Sequence, residues 1–352
     1  MRKVILVLLS AGGLIVAQEA ADPLFRESVK RVLAPTTVTG KDGRTANDLK
    51  PSDFVLLDNG REQSLQVDQM IMPLSLVVCV QSNSSVEPVL ANIKKMGPLL
   101  EALVMGDRGE AAVVAFDGRV RVLEDFTKSG EKIQAALNKI NPGSSQNRMI
   151  DAVIQASRML MTRPQEQRRV ILLISETQDK SSEGHVRDAL LALQFQNVSV
   201  YSVNINRLLG KLLTKAPPPR PSQIPLGAQH LPPGAAMTPQ NATMMSAQGN
   251  VLPLFGEILK QVKYIFVDNP IEAFTKYTGG RERSFLTQKD LERVIAEIGE
   301  ELHSQYMLSY APDESVKLDG GYHEIKVAIR NRKDLEVRSR PGYWMAATNK
   351  QQ

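Results

Sequence analysis

The stretch "LSLVVCVQSNSSVEPV", residues 74–89, decides the fold. Leu76 to Val80 is an unbroken apolar run, the pattern of a strand covered on both faces. It turns polar at Gln81 and continues as Ser82, Asn83, Ser84 and Ser85. Apolar residues then recur at helical spacing at Val86, Val89, Leu90, Ile93, Met96, Leu100 and Leu103. A buried strand that ends in a small polar loop before a helix is where open α/β sheets place ligands. Pro88 fits the first turn of that helix, whereas Pro98 predicts a kink or break within it.

Downstream the rhythm continues. "EAAVVAF" (110–116) and "RVRVLEDF" (119–126) flank Asp117-Gly118, a hairpin signal that predicts one antiparallel edge strand. Helical spacing follows over 130–140 and 149–161, then the buried strand "RRVILLIS" (168–175), the helix "EGHVRDALLALQFQ" (183–196) and the strand "NVSVYSVNI" (197–205). The alternation predicts an α/β fold, a doubly wound, mostly parallel sheet with helices on both faces. Residues 207–254 are rich in Pro, Gly, Ala and Met, and predict an insertion with no core of its own. Helices are expected near 255–263 and 270–278, the second stopping at Gly279-Gly280, and over 288–304 with Thr287 as N-cap; "RSFLT" (283–287) lies between the last two.

Both flanks read as β. Upstream, "FVLLD" (54–58), Asn59-Gly60 and "QSLQV" (63–67) predict a hairpin. The tail "QYMLSYAP", "GGYHEIKVAIR", "DLEVRSRPGYW" alternates like strands, and with the N-terminal segment predicts a small accessory β region. The expected layout is a signal peptide over 1–17, an N-terminal β segment over 22–70, the α/β unit over 71–306 with insertion 207–254, and C-terminal strands over 307–345.

Arg2 and Lys3, an apolar run from Val4 to Val16 and a small residue at Ala17 have the three-part form of a secretory signal, cut near Ala17. The apolar run falls short of the roughly 20 residues a spanning helix needs. A secreted or periplasmic location follows, with no transmembrane helix in the mature chain. The net charge of +5 is scattered, with no basic run among aromatics, so nucleic acid is not an expected partner. Cys79 is the only cysteine of the 352 residues, which excludes an internal disulfide. Four histidines stand far apart, and neither a phosphate-binding glycine loop nor a G-x-S-x-G elbow occurs. No catalytic constellation assembles, and the chain reads as non-catalytic.

Three segments carry a family resemblance: "GKDGRTANDLKPSDFVLLDNGREQSL" (40–65), "LISETQDKSS" (173–182), and "LERVIAEIGEELHSQYMLSY" with the later "DGGYHEIKV" and "VRSRPGYW". The chain resembles the von Willebrand factor A fold, and more narrowly the secreted "VWFA-related" family abundant in Acidobacteria. That resemblance implies a metal-ion-dependent adhesion site at the C-terminal ends of the strands, where a partner protein supplies a carboxylate to the ion. The family pattern is Asp-x-Ser-x-Ser after the first strand, a Thr before a middle helix and an Asp after a later strand. Here those positions fall on Gln81, Asn83, Ser85, Asn147 and Glu176, and only Ser85 matches.

A hard cation such as Mg2+ or Ca2+ wants oxygen ligands and anionic charge, and only Glu176 among these positions is anionic. Ser85, Glu176 and the nearby Asp179 are the weak candidates for metal ligation, and no cofactor is expected. Asp151 reads as a first-turn helix residue that pairs with loop N–H groups. The expectation is an exported interaction module of adhesion type with a degenerate site, binding an unidentified protein without metal. The alternative is metal-dependent adhesion through altered ligands.

Overall fold

The computed structural model describes residues 31–68, 72–205, 269–312 and 321–344. The expected signal peptide, the insertion 207–254 and the helix near 255–263 lie outside the described residues.

β5 (Leu74–Gln81) is the keystone, with all eight residues buried. Five further strands join it: β6 (Glu110–Phe116), β7 (Val120–Thr127), β8 (Arg168–Ser175), β9 (Val198–Ile205) and β10 (Glu282–Phe285). The sheet order is β10-β9-β8-β5-β6-β7. All neighbours are parallel except β7, which returns antiparallel to β6 as the Asp117-Gly118 turn predicts. Period-two alternation divides β5 between two cores. Leu76, Val78 and Val80 face one, with α1 (Glu87–Ile93), α2 (Gly97–Leu100), α3 (Gly130–Asn138) and α7 (Gln288–Ser304). Val77 and Cys79 face the other, with α4 (Met149–Met161), α5 (Val186–Phe195) and α6 (Pro270–Thr278).

The helical run after β5 is broken as Pro98 predicts. α1 ends at Ile93, and α2 restarts at Gly97 with Pro98 in its first turn, where a missing N–H costs nothing. A π-turn over Glu101–Met105 completes it. α7 begins with the predicted Thr287 cap: the Thr287 hydroxyl accepts the Asp290 N–H at 3.2 Å, and Asp290 accepts the Thr287 N–H at 3.1 Å. Gly279 ends α6 at a φ of 79°, in the left-handed region that favours glycine.

The chain flanks build two four-stranded antiparallel sheets. β1 (Val32–Gly40), β4 (Gln66–Asp68), β11 (Tyr306–Tyr310) and β13 (Leu335–Arg338) form one, in the order β13-β1-β11-β4. β2 (Phe54–Asp58), β3 (Arg61–Glu62), β12 (Tyr322–Ile329) and β14 (Gly342–Trp344) form the other, in the order β14-β12-β2-β3. Val32, Ala34, Leu56, Tyr306, Leu308, Ile325 and Tyr343 fill a separate core.

One expectation needs correction. The Asn59-Gly60 turn forms, with both residues at positive φ, but its hairpin is only Asp58↔Arg61 and Leu57↔Glu62. "QSLQV" does not continue it; Gln66–Asp68 crosses to pair with β11. The crossing lets Leu65 and Val67 cover the accessory core from its other side. "RSFLT" contributes the edge strand β10, whose only buried residue is Phe285. So little burial leaves almost no periodic signal in the sequence.

Candidate functional site

β5 sends its chain to one face of the sheet and β8 sends its chain to the other, so their C-terminal ends flank the crevice where strand order reverses. Gln81 closes β5, and Glu176 follows β8 directly. The Gln81 side-chain carbonyl accepts the Glu176 N–H at 2.8 Å, which fixes the orientation of the amide. Its NH2 group then faces three oxygens. It donates to Asn83 Oδ1 at 2.9 Å and Glu176 Oε2 at 3.0 Å, and lies 3.5 Å from Ser85 Oγ. The Ser85 hydroxyl has one proton for two acceptors, Asn83 Oδ1 at 2.6 Å and Glu176 Oε2 at 3.0 Å.

Four of the five expected positions therefore meet around one amide nitrogen. Gln81, Asn83 and Glu176 are buried and Ser85 is half-buried. They form a polar knot of mutual hydrogen bonds around the Gln81 amide. Asn147 stands apart from the knot. Its amide donates to Gln178 O at 2.7 Å, and its buried Oδ1 has no hydrogen-bond partner among the described residues.

The arrangement does not fit a divalent cation. A cation wants lone pairs converging on a point, and here an N–H donor group occupies the point toward which Asn83, Ser85 and Glu176 converge. Asp179 is committed elsewhere. It accepts the Ile150 N–H at 2.9 Å at the start of α4 and the Ser182 N–H at 3.0 Å within its own turn. Among the described residues, no group of three or more His, Cys, Asp or Glu side chains is placed to hold a metal.

Asp151 takes the role read for it. It accepts the Gly184 N–H at 2.8 Å, the Glu183 N–H at 3.1 Å and Arg148 Nε at 2.6 Å. Burial pushes its carboxyl pKa up, but these donors outweigh burial and hold it below the ordinary aspartate value. Cys79 lies under the sheet with its thiol pushed up by burial, the setting of an inert core residue.

Beside the knot a cleft of about 420 Å3 opens, lined by Asp117, Gly118, Arg119, Arg121, Ser144 and Gln146. None of the five expected positions lines it. Its wall is the β6–β7 turn and the loop before α4. The 82–84 loop braces it: Gly143 donates to Ser82 O at 2.7 Å and Ser84 donates to Ser144 O at 3.1 Å. In the sequence Asp117-Gly118 reads only as a turn. The charge of Asp117 and the two arginines just after it were the available signal.

Residues 81–178, from the end of β5 to just past β8, match the von Willebrand factor type A domain family. No curated protein matches the chain. Among solved structures, the conserved hypothetical protein BatB from Bacteroides thetaiotaomicron is similar at 14% identity and a TM-score of 0.42, over 65% of this chain and 98% of that one. An aerotolerance-related membrane protein from Bacteroides fragilis NCTC 9343 gives 14% and 0.39, over 65% and 99%. The vWF domain of the type V pili tip protein Mfa5 from Porphyromonas gingivalis gives 17% and 0.27, over 31% and 40%. With the family match falling on the β5–β8 crevice of a doubly wound sheet, the central unit of this chain has the von Willebrand factor A-type fold, joined to additional antiparallel sheets.

Proposed function

We propose that this chain is an exported, non-catalytic protein-interaction module that binds through the loop face above β5, β6 and β8, and that this face holds its shape without a metal ion. One observation carries the reading: the Gln81 NH2 group sits where Asn83, Ser85 and Glu176 converge. An amide that donates two hydrogen bonds there supplies partial positive charge without the desolvation cost of a cation. Export rests on the Arg2–Ala17 pattern. No helix among the described residues is long and apolar enough to cross a membrane.

One observation favours metal-dependent adhesion instead. The buried Asn147 Oδ1 lacks a donor, and a cation or a water would satisfy it. Calorimetry with Mg2+, Mn2+ and Ca2+ on the purified protein separates the two. The metal-free reading expects no binding in the sub-millimolar range. Sub-millimolar binding that Glu176→Ala abolishes overturns it in favour of metal-dependent adhesion.

A further inference from the structure

The loop face carries an open cleft among the described residues, and its chemistry is legible. The cleft contains no apolar side chain: its lining is Asp117, Gly118, Arg119, Arg121, Ser144 and Gln146. Two guanidiniums stand against one carboxylate, so it carries a net positive charge. Asp117 is largely committed to its own loop. Its carboxylate accepts the Arg119 N–H at 2.9 Å and the Ser144 N–H at 3.2 Å, and is 11% exposed. Arg121 is held from behind, donating from Nη2 to Ser82 Oγ at 3.1 Å and lying 3.7 Å from Asp117 Oδ2, with 42% of its side chain open to solvent. The Arg119 side chain is exposed and engages no hydrogen-bond or ion-pair partner among the described residues.

A planar guanidinium fixed on one side and open on the other is a preset fork for an oxyanion. The single net positive charge matches a monoanion and under-compensates a dianion such as phosphate. We propose that this cleft binds a carboxylate, namely an acidic side chain of a partner polypeptide, with Arg121 as the positioned fork and Arg119 as the mobile second cation. The inference rests on the interaction reading above and adds the chemistry of the partner. The Ser144 hydroxyl accepts the Gly118 N–H at 2.9 Å, which leaves its proton to donate into the cleft.

The glycine at position 118 stands close to the lining side chains. A Cβ there meets Gln146 Oε1 at 2.6 Å and Ser144 Oγ at 2.8 Å, so Gly118→Ala drives a methyl into the lining groups. A lone exposed ion pair contributes little, so one carboxylate binds weakly and the full partner adds the rest.

The test is NMR of the 15N-labelled full chain in EDTA, reading the arginine Nε–Hε signals during titration with acetyl-Gly-Glu-Gly-amide, acetyl-Gly-Gln-Gly-amide and inorganic phosphate. The glutamate peptide should give saturable, millimolar-range shifts of Arg119 and Arg121, with the glutamine peptide weaker by about tenfold or more. Arg119→Gln, which removes no side-chain hydrogen bond or ion pair among the described residues, and Arg121→Gln should each weaken the response, with melting curves confirming that both variants fold. An equal response to the glutamine peptide overturns the proposal. So does a response unchanged in both arginine variants, or tighter binding of phosphate than of the glutamate peptide. The parent reading fails by a different route, through calorimetric metal binding that Glu176→Ala removes. A silent cleft without metal binding overturns the carboxylate assignment alone.

Discussion

At Gln81 the consequence of a single side chain is largest. Aspartate at this position would place an anion beside Glu176, and the pair would need a cation or a proton between them. Glutamine closes the same space with a carbonyl for the Glu176 N–H at 2.8 Å and an NH2 group for the Glu176 carboxylate at 3.0 Å. The variant Gln81→Asp, Asn83→Ser, Asn147→Thr, Glu176→Asp restores the family's pattern of ligands. It should gain divalent-ion affinity, seen as an ion-dependent rise in melting temperature larger than that of the wild type. A variant that folds yet stays inert would mean that the residue correspondence around this loop is wrong. Much of this is legible in the sequence, because Glu176 is the one carboxylate among the five positions. The direction of the Gln81 amide is not, since it depends on a backbone N–H that arrives from 95 residues away.

Among the elements, the accessory sheets depend on one buried carboxylate. Asp58 ends β2 and accepts the Tyr310 hydroxyl of β11 at 2.8 Å and the Tyr343 hydroxyl of β14 at 2.9 Å. His323 of β12 approaches to 3.3 Å and stacks on Tyr343 with ring centroids 5.0 Å apart. Burial pushes both tyrosine pKa values up, and burial lowers the neighbouring Arg340 to about 10. Asp58→Ala removes the acceptor for two buried hydroxyls. It should cost about 3 kcal/mol or more in a denaturant melt, since each orphaned buried donor costs roughly 1–3 kcal/mol. Leu56→Ala should cost a similar amount through a cavity, about 2–5 kcal/mol. If Asp58→Ala is neutral, the hydroxyls have found other partners. The sequence marked Asp58 only as a turn residue before Asn59-Gly60. Its second role exists because β11 and β14, more than 240 residues downstream, bring two tyrosines to it.

At the scale of the whole molecule, the accessory sheets are fastened to the central sheet through Glu301 of α7. Its buried carboxylate accepts the Tyr201 hydroxyl of β9 at 2.6 Å, pairs with Arg338 of β13, and lies 3.5 Å from Arg281. Arg338 also donates to Gly279 O at 2.7 Å, so the turn after α6 joins the same tie. Glu301→Ala leaves the buried Tyr201 hydroxyl without its acceptor, while Arg338 keeps Gly279 O, and should destabilise the protein by about 1–3 kcal/mol, the usual cost of an orphaned buried donor. Scanning calorimetry is the informative measurement. Loss of this tie should broaden or split the unfolding transition, because the accessory core no longer melts with the central sheet. A single sharp transition at the wild-type temperature would show that the tie contributes nothing.

The sequence by itself determined the doubly wound sheet, its antiparallel edge, the break at Pro98, the cap at Thr287 and the neutral residue types at Gln81, Asn83, Ser85 and Asn147. All of these are set by local periodicity, by the backbone limits of proline and glycine, or by residue type alone. Only the tertiary structure decided that "QSLQV" leaves its hairpin for β11, that Gln81 turns its NH2 group to Glu176, and that Arg119 and Arg121 open a cleft beside the knot. Each of these depends on partners far away in the chain, and a hydrogen bond or a cleft exists only once folding has brought both sides together.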